Sequence, residues 1–400
     1  MGYTIRKLDF SESGYANEAF KKIGVTCAGA KIMSFKAEPL ALKIKGLSPI
    51  AINILKQEAL ARGGEVATSR DSLIQREGSM DAVLMGTGPV IKSLIRKIRT
   101  QPFGLKKLAD ELDNYVGSLQ RKKILTLKGK HYDIGKNYWI MGILNLTPDS
   151  FYDGGKYLEN KAAMERAEEM IRQGADIIDV GGMSTRPGSE PVNPEEEIAR
   201  AIPVIEHIKS SYDVLVSIDT YRSQVASRAL QAGADIVNDI SALTLDKEMA
   251  QVVAGSGAAA VLMHMRGTPR DMQKNPTYAD VVEDVYDFLY LSAENAVSSG
   301  IEPSSIIIDP GIGFGKTAGH NLKLIKKMKE FSFMGFPLLL GASRKSFIEK
   351  TLGLAAAQRL EPSIAVAVFG YIEGVSIFRV HDVQQTKKAL DMVKAIKDVE

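Results

Sequence analysis

From about residue 138 onward, short runs of apolar residues alternate with longer segments in which apolar residues recur at helical spacing. The short runs are rich in Ile, Val and Leu, which is typical of strands buried on both faces of a parallel sheet. They predict strands at 138–146, 176–181, 214–219, 235–240, 258–264, 305–309, 337–342 and 375–380. The longer segments predict helices at 160–173, 194–210, 222–232, 246–255, 277–299, 319–330, 358–372 and 383–397.

Eight strand–helix units follow one another in about 265 residues. This repetition indicates a closed (β/α)8 TIM barrel, whose usual length it matches. An open, doubly wound sheet is the alternative, but such a sheet seldom repeats the unit eight times without interruption. We therefore expect an α/β fold in which residues 131–400 form the barrel.

The first 130 residues follow a different pattern and predict a small α/β domain of their own. Ser48-Pro49 is typical of a helix start, and Gly63-Gly64 of a helix end. The segment 121–136 resembles a linker, although Ile124–Leu127 could be a strand that covers the bottom of the barrel. The other predicted elements are strands at Leu42–Ile44, Glu65–Ala67 and Ala82–Met85, and helices at Ser48–Ala61 and Val90–Val116, the latter interrupted near Pro102.

The composition is that of an ordinary globular protein, with 45% hydrophobic and 25% charged residues. A net charge of +3 is small for 400 residues and gives no strong case for a nucleic-acid partner. The single cysteine, Cys27, excludes an intramolecular disulfide and any zinc site with more than one Cys ligand. No apolar run approaches the ~20 residues of a membrane helix, and the N-terminus lacks the features of a signal peptide. We expect a cytoplasmic enzyme.

The predicted helix from Val90 is distinctly basic. We favour a solvated helix face over a site for an anionic partner. Gly86-Thr87-Gly88, just before this helix, could cradle a phosphate, but it lacks the fuller glycine-loop pattern and its lysine. The basic residues are Lys92, Arg96, Lys97, Arg99, Lys106 and Lys107.

Polar residues follow the predicted barrel strands at the point where each strand ends. Because the carboxyl ends of parallel strands meet at one face of a barrel, where ligands bind, these residues should surround a single site. They are Asn145, Asp179, Asp219, Asn238, Asp239, His264, Asp309, Arg344, Lys345, Arg379 and His381.

The segments that carry these residues resemble the motifs of dihydropteroate synthases. The most informative is Ile307–Lys316, in which a strand ends in Asp309 and a tight, glycine-rich turn follows. The resemblance covers residues from about 138 to 397, with seven motifs in register at strand ends. The other six are Asn145–Gly155, Asp179–Gly188, Ser217–Tyr221, Asn238–Ile240, Ser343–Ser346 and Arg379–Asp382.

The resemblance implies the condensation of 6-hydroxymethyl-7,8-dihydropterin pyrophosphate with 4-aminobenzoate, in folate biosynthesis. Asp309 is expected to accept hydrogen bonds from the pterin edge, and Lys345 to donate to the ring carbonyl and nitrogen. Asp219, Lys345, Arg379 and His381 are the expected catalytic residues. The expected pterin-binding set is Asp219, Asn238, Met263, Asp309, Phe314, Lys345 and Arg379.

A pyrophosphate leaving group needs positive charge and hydrogen-bond donors. Asn145, Arg379 and His381 are expected to bind it, because the first and last strands are neighbours in a closed barrel. Mg²⁺ would neutralise the diphosphate, with Asn145 as its protein ligand. We expect catalysis by electrostatics and positioning, without a covalent enzyme nucleophile.

Two long loops, from Thr147 to Lys156 and from Met183 to Pro191, are expected to form the 4-aminobenzoate pocket and to exclude water. Its expected contacts are Phe151, Thr185, Arg186, Pro187 and Ser346, the last at a helix start that favours a carboxylate.

Two positions depart from the family pattern. Met183 stands where the family usually has Glu, and Glu361-Pro362 precede Ser363 where Gly is usual, although Arg359 is retained. These changes bear on loop behaviour and packing, and they leave the pterin set intact. The resemblance assigns no role to residues 1–130.

Single residues also have simpler structural interpretations. Asp219 could be a helix N-cap, and His264 is more often a satisfied core histidine than a catalytic one. His320 is expected to cap a helix. Asp179 could order a loop or brace Arg186.

Two other functions compete with the synthase. A pterin-dependent methyltransferase would not need the diphosphate set or the Ser343–Ser346 turn. A non-catalytic pterin-binding protein would bind pterin and release no pyrophosphate. We expect small-molecule substrates and a homodimer, with neither nucleic acid nor membrane as a partner.

Overall fold

The structure is a computed structural model that describes residues 3–8, 10, 15–75, 77–119, 123–135, 137–146, 156–183, 192–268, 271–272 and 274–399. The chain divides into two compact units, Met1–Arg121 and Lys122–Glu400. The strand predicted at 124–127 therefore belongs to the larger unit. None of the described helices is long and apolar enough to cross a bilayer.

The smaller unit is built on a three-stranded antiparallel sheet of order β1-β3-β2. Its strands are β1 (Pro39–Leu47), β2 (Glu65–Thr68) and β3 (Met80–Thr87). Its described helices are α1 (Tyr15–Lys22), α2 (Cys27–Ala37), α3 (Pro49–Leu60), α4 (Gly88–Ile98) and α5 (Leu105–Ser118).

The basic helix α4 and the residue that follows it make contacts within the smaller unit. Arg99 pairs with Asp110 at 3.0 Å and with Asp113 at 2.9 Å, and Lys92 lies 4.6 Å from the ring centre of Phe35. That ring also covers the start of the helix, because a Cβ on Gly88 would lie 2.2 Å from Phe35 Cζ. These contacts agree with a solvated helix face and leave little room for a phosphate at the helix start.

The larger unit contains an eight-stranded parallel sheet of order β11-β10-β9-β8-β7-β6-β13-β12 and the separate hairpin β4-β5. The strands are β4 (Ile124–Leu127), β5 (Lys130–Asp133), β6 (Trp139–Asn145), β7 (Ile177–Gly181), β8 (Leu215–Asp219), β9 (Ile236–Asp239), β10 (Ala259–Met263), β11 (Ile306–Asp309), β12 (Leu339–Leu340) and β13 (Ile377–Val380).

Helices follow the parallel strands and form the outer layer, as a barrel requires. They are α6 (Lys156–Arg172), α7 (Pro194–Ser211), α8 (Ser223–Gln231), α9 (Met249–Ser256), α10 (Val281–Ser298), α11 (Ala318–Lys326), α12 (Met328–Ser332), α13 (Ser346–Leu352), α14 (Leu360–Ile372) and α15 (Val383–Lys397).

The sheet closes on itself between β11 and β12. Ile308 and Leu338 form a parallel bridge, and the Ile308 N–H donates to the Pro337 carbonyl at 3.0 Å. The TIM barrel expected from the sequence is therefore confirmed, and the open sheet was the wrong alternative.

The hairpin β4-β5 plugs the bottom of the barrel. Leu125, Leu127 and Ile134 pack against the lowest inward-facing residues of the strands, among them Ile177 and Ile307. Ser305 Oγ donates to the Thr126 carbonyl at 2.8 Å, and the Lys128 N–H donates to the Gly257 carbonyl at 2.8 Å. The strand expected to cover the barrel bottom does so.

The interior changes from apolar at the bottom to polar at the top. Residues two apart on a strand face the same way, so Ile177 is followed inward by Asp179 and Ile307 by Asp309. The same alternation relates Leu215 to Asp219 through Ser217, Ile236 to Asn238, and Ile377 to Arg379. Strand geometry thus brings the strand-end polar residues together.

Candidate active site

An ion-pair network spans the carboxyl end of the barrel. Arg379, on β13, donates from Nε to Asp179 Oδ2 at 2.6 Å and from Nη2 to Asp219 Oδ2 at 2.7 Å. Burial alone would lower the pKa of Arg379, but the two carboxylates raise it above its ordinary value. The guanidinium therefore stays charged, and two acceptors fix its plane.

Asp219 is the most perturbed carboxyl group of this network. Burial raises its pKa to about 7, Arg379 opposes the rise, and the carboxylates of Asp179, Glu197 and Asp239 add to it. Its Oδ1 is buried without a hydrogen-bond partner in the described part of the chain. A buried oxygen without a partner can accept a hydrogen bond from a bound ligand.

Two asparagine side chains lie beside these carboxylates. Asn238, paired with Asp219 in the sheet, donates from Nδ2 to Asp179 Oδ2 at 3.2 Å. Asn145 is at the end of β6, where a Cβ on Gly181 would lie 3.6 Å from its Oδ1 and 3.8 Å from Asp219 Oδ2. Because Gly181 has no side chain, the space beside the Asn145 amide oxygen is open.

Asp309 ends β11 and is almost fully buried. Its Oδ1 accepts the Gly311 N–H at 2.7 Å, at the start of the glycine-rich turn. Gly311 has a φ of 68°, and a Cβ there would lie 1.9 Å from the His264 carbonyl oxygen, so only glycine fits. Burial raises the pKa of Asp309, while Lys345 and the Gly311 N–H oppose the rise. Met263, at the end of the neighbouring strand β10, is the register partner of Asp309.

Lys345 reaches from the start of α13 to the same turn. Its Nζ donates to the Ile312 carbonyl and lies 4.3 Å from the centre of the Phe314 ring. Burial lowers the pKa of Lys345 to about 7, against the effect of Asp309. The amine therefore titrates near neutral pH.

The ends of β12 and β13 are joined by side-chain contacts. His381 Nδ1 lies 3.1 Å from Ser343 Oγ, which also accepts the His381 N–H at 3.2 Å. Arg344 forms a two-point contact with Asp382, at 2.8 and 2.6 Å. Ser343 therefore positions His381, one of the residues expected to bind the diphosphate.

Several expected contacts of the second substrate fall outside the described residues. They are Phe151, Thr185, Arg186 and Pro187. Ser346 is described, and it is exposed as the first residue of α13. Met183 is buried and lies 3.7 Å, through its Sδ, from the Tyr221 hydroxyl.

The structure settles most of the simpler interpretations. Asp219 is not a helix cap, because α8 begins four residues later and the Thr220 hydroxyl accepts the Arg222 N–H. His264 is a buried core histidine, with its ring 4.9 Å from that of Phe288. His320 forms a capping box with Thr317 at the start of α11.

Two residues have partners that the sequence reasoning did not find. Asp179 was expected to brace Arg186 or a loop, and it pairs with Arg379, which is 200 residues away. Ser343 was not singled out, and it contacts His381. The strand-end position of both residues was the available signal.

Known proteins resemble the barrel unit closely. The family model described as "Pterin binding enzyme" matches residues 141–381. The dihydropteroate synthase of Clostridium beijerinckii is 44% identical over 273 residues, which are 68% of this chain and 99% of that protein.

Solved structures agree with this. The dihydropteroate synthase of Yersinia pestis in complex with a sulfonamide drug has a TM-score of 0.65 at 39% identity, covering 69% of this chain and 100% of that one. The enzyme of Xanthomonas albilineans with 4-aminobenzoic acid has a TM-score of 0.66 at 37% identity, covering 70% and 100%. The matched region includes every strand-end residue from Asn145 to His381, and the chain therefore belongs to the family of pterin-binding enzymes, among the dihydropteroate synthases.

Proposed function

We propose that this chain condenses 6-hydroxymethyl-7,8-dihydropterin pyrophosphate with 4-aminobenzoate, giving dihydropteroate and pyrophosphate. It is a transferase, as its relatives are. The observation that carries the proposal is the pair of buried strand-end carboxyl groups, Asp219 and Asp309. The aminopyrimidinone edge of a pterin offers adjacent N–H donors, which such acceptors complement.

The pterin is bound by the groups around these carboxylates. Asp309 accepts from the ring edge, and Asp219 offers its unpaired Oδ1. Lys345 donates to the ring carbonyl and nitrogen, and Arg379 stacks on the ring with the plane that its two carboxylates fix. Asn238 completes the edge contacts, and Met263 and Phe314 supply apolar contact to the ring.

The diphosphate lies at the first and last strands. Arg379 and His381 provide positive charge and donors there, and the Ser343 hydroxyl holds the His381 ring. As the methylene–oxygen bond breaks, negative charge grows on the diphosphate, and preorganised donors stabilise it.

Mg²⁺ fits the proposed diphosphate site. It usually takes one or two protein oxygen ligands together with phosphate oxygens and water. Asn145 presents an amide oxygen, and Gly181 leaves the space beside it open. When bound, the ion supplies charge neutralisation of the leaving diphosphate.

The reaction needs no covalent enzyme intermediate. The electron pair of the methylene–oxygen bond leaves with the diphosphate, and the electron-rich pterin stabilises the positive charge left on carbon. The lone pair of the arylamine forms the new C–N bond, and its proton passes to solvent. Asp219, buried beside the ring, favours the cationic stage.

The second substrate, 4-aminobenzoate, is proposed to bind between the two loops that follow β6 and β7. Phe151, Thr185, Arg186 and Pro187 are proposed to contact 4-aminobenzoate, and Ser346 its carboxylate. The Xanthomonas albilineans relative was solved with 4-aminobenzoic acid, which supports this choice of arylamine.

The test is pyrophosphate release by the purified chain with both substrates and Mg²⁺, with the product identified by mass. Asp309→Ala should lower kcat/KM by about 100-fold or more, because a charge-assisted contact to the ring is lost. Asp213→Ala, at an exposed position before β8, is the control and should be unaffected.

Other outcomes would reject the proposal. Tight pterin binding without pyrophosphate release would favour a non-catalytic pterin-binding protein. Methyl transfer from methyltetrahydrofolate to a corrinoid protein, without arylamine condensation, would favour the methyltransferase.

We also propose that the barrel forms a homodimer through its last two helices. α14 and α15 pack on each other and leave apolar side chains exposed, namely Phe369, Ile372, Met392 and Ile396. Light scattering should give twice the chain mass, and Ile396→Glu should give the monomer. A monomeric parent chain at micromolar concentration would contradict this assignment.

A further inference from the structure

The turn after Asp309 is held by a buried lysine to which the proposed reaction gives no role. Lys316 Nζ lies 2.9 Å from the Gly311 carbonyl oxygen and 3.0 Å from that of Phe314. It also lies 2.8 Å from His264 Nδ1 and 3.2 Å from the His264 carbonyl oxygen. The Lys316 side chain is buried, so these contacts replace water entirely.

The hydrogen bonds from Lys316 to the turn do not depend on whether its amine is protonated. Burial lowers the pKa of Lys316 well below its ordinary value. Burial, together with the charge of Lys316, also lowers the pKa of His264 to about 2. An ammonium can donate to Nδ1 of the neutral imidazole, or a neutral amine can accept from an Nδ1–H. In both arrangements N–H groups remain on the Gly311 and Phe314 carbonyls.

Two further side chains hold the same turn from outside the proposed pterin site. The Tyr278 hydroxyl donates to the Gly315 carbonyl at 2.8 Å. Asn321 Oδ1 accepts the Gly313 N–H at 2.7 Å, and its Nδ2 donates to the Thr317 carbonyl at 2.8 Å. Successive peptide groups of the turn are therefore fixed by different elements.

The other side of the turn meets the groups proposed to bind pterin. Asp309 accepts the Gly311 N–H, Lys345 donates to the Ile312 carbonyl, and the Phe314 ring lies under the same amine. Any shift of the turn would change the position of all three side chains. The backbone between them therefore couples Lys316 to the pterin.

We propose that Lys316 is a positioning residue for the pterin, acting through the Gly311–Gly315 turn, with Tyr278 and Asn321 acting on the same turn. The inference rests on the proposed function, because it takes pterin as the ligand of Asp309. It predicts an effect on pterin affinity and none on the second substrate.

The test compares Lys316→Met with Lys323→Met, a control on α11 whose lysine is half exposed and paired with Asp280. Affinity for dihydropterin-methyl pyrophosphate is measured by calorimetry without 4-aminobenzoate. Lys316→Met should weaken binding about tenfold or more, because buried carbonyls lose their donors. The KM for 4-aminobenzoate at saturating pterin and the affinity of the control should stay unchanged.

Hydrogen exchange gives a second readout that a general loss of stability would not reproduce. In Lys316→Met the peptide covering 306–317 should exchange faster, while peptides of β7 and β8 keep their protection. Tyr278→Phe, which removes one hydroxyl from the same turn, should weaken pterin binding about threefold. If Lys316→Met does not fold, the tyrosine variant decides.

Unchanged pterin affinity in a folded Lys316→Met variant would overturn the inference. So would an equal loss for both substrates with faster exchange throughout the barrel, which would mark a purely structural role. Failure of the parent chain to release pyrophosphate is a different result, because it rejects the proposed reaction while pterin binding still tests Lys316.

Discussion

At the scale of single residues, the site holds ionisable groups in conditions that disfavour their charged forms. Asp219 and Lys345 both have a pKa of about 7, the first raised and the second lowered by burial. Burial in the folded chain therefore disfavours the carboxylate of Asp219 and the ammonium of Lys345 near neutral pH. A ligand that supplies donors to Asp219 and acceptors to Lys345 should relieve this cost, so binding and stability are linked.

Asp219 should make barrel stability depend on pH. Its folded pKa lies above the ordinary value of 3.8, so its contribution is fully present below about pH 4 and is lost as the pH rises through about 7. The contribution of Asp219 to the free energy of unfolding should fall between pH 5 and 7, by up to about 1 kcal/mol per pH unit, while His264 and Lys316, whose pKa values burial lowers, act in the opposite sense. Asp219→Asn should remove this contribution, so its pH dependence should differ from that of the parent chain by this amount, although Asp179, Glu197, Asp239 and Arg379 still face the position.

The measurement is urea unfolding at pH 5, 6 and 7, followed by the fluorescence of the single tryptophan, Trp139, which lies in β6 of the barrel. Asp213→Asn, at an exposed site, should keep the parent slope. Equal slopes in the parent chain and Asp219→Asn would show that another group controls the pH dependence.

Arg379 is expected to be required for both folding stability and activity. Arg379→Met leaves Asp179 and Asp219 buried without their cation, and breaking such a pair costs about 3–5 kcal/mol. Activity should be lost as well, because the diphosphate loses its arginine. Lys161→Met, in an exposed pair with Glu165, should change neither property appreciably. A stable, active Arg379→Met protein would contradict the central place given to this network.

At the scale of elements, the hairpin β4-β5 is expected to stabilise the barrel from below. Leu125 is fully buried, while its neighbour Ile124 is exposed on the opposite face of the strand. Leu125→Ala should lower the free energy of unfolding by about 2–5 kcal/mol, and Ile124→Ala should have little effect. Trp139 reports this directly, because its ring lies 5.4 Å from Tyr132 in the hairpin. An unchanged free energy of unfolding in Leu125→Ala would mean that the plug adds no stability.

The positions of strands and helices were more predictable from the sequence than the partners of individual side chains. Buried parallel strands are continuous apolar runs, so all eight barrel strands could be placed, with ends shifted by one or two residues in most cases. The helices α1 and α2 were not predicted, since helices as short as these depend on tertiary packing and α2 also lacks a clear apolar stripe. The partner of Asp179 could not be found either, because nothing local relates it to Arg379.

At the scale of the whole molecule, each unit has its own hydrophobic core. The core of the smaller unit runs from Leu42 to Val116, and the cores of the barrel unit begin at Leu125. Neither core shares a residue with the other. The Clostridium beijerinckii relative also aligns over almost its whole length with part of this chain. Both facts indicate that the barrel unit is sufficient for folding.

The truncated chain Lys122–Glu400 should therefore fold and keep kcat/KM within about threefold of the full chain, since every proposed site residue lies in it. A shorter chain, Asn137–Glu400, lacks the hairpin and exposes Ile177, Ile307 and their neighbours, so it should unfold at lower urea concentration. Steady-state kinetics and Trp139 fluorescence check the two chains side by side. A folded but inactive Lys122–Glu400 would show that catalysis needs the smaller unit, and the barrel would then not be the complete enzyme.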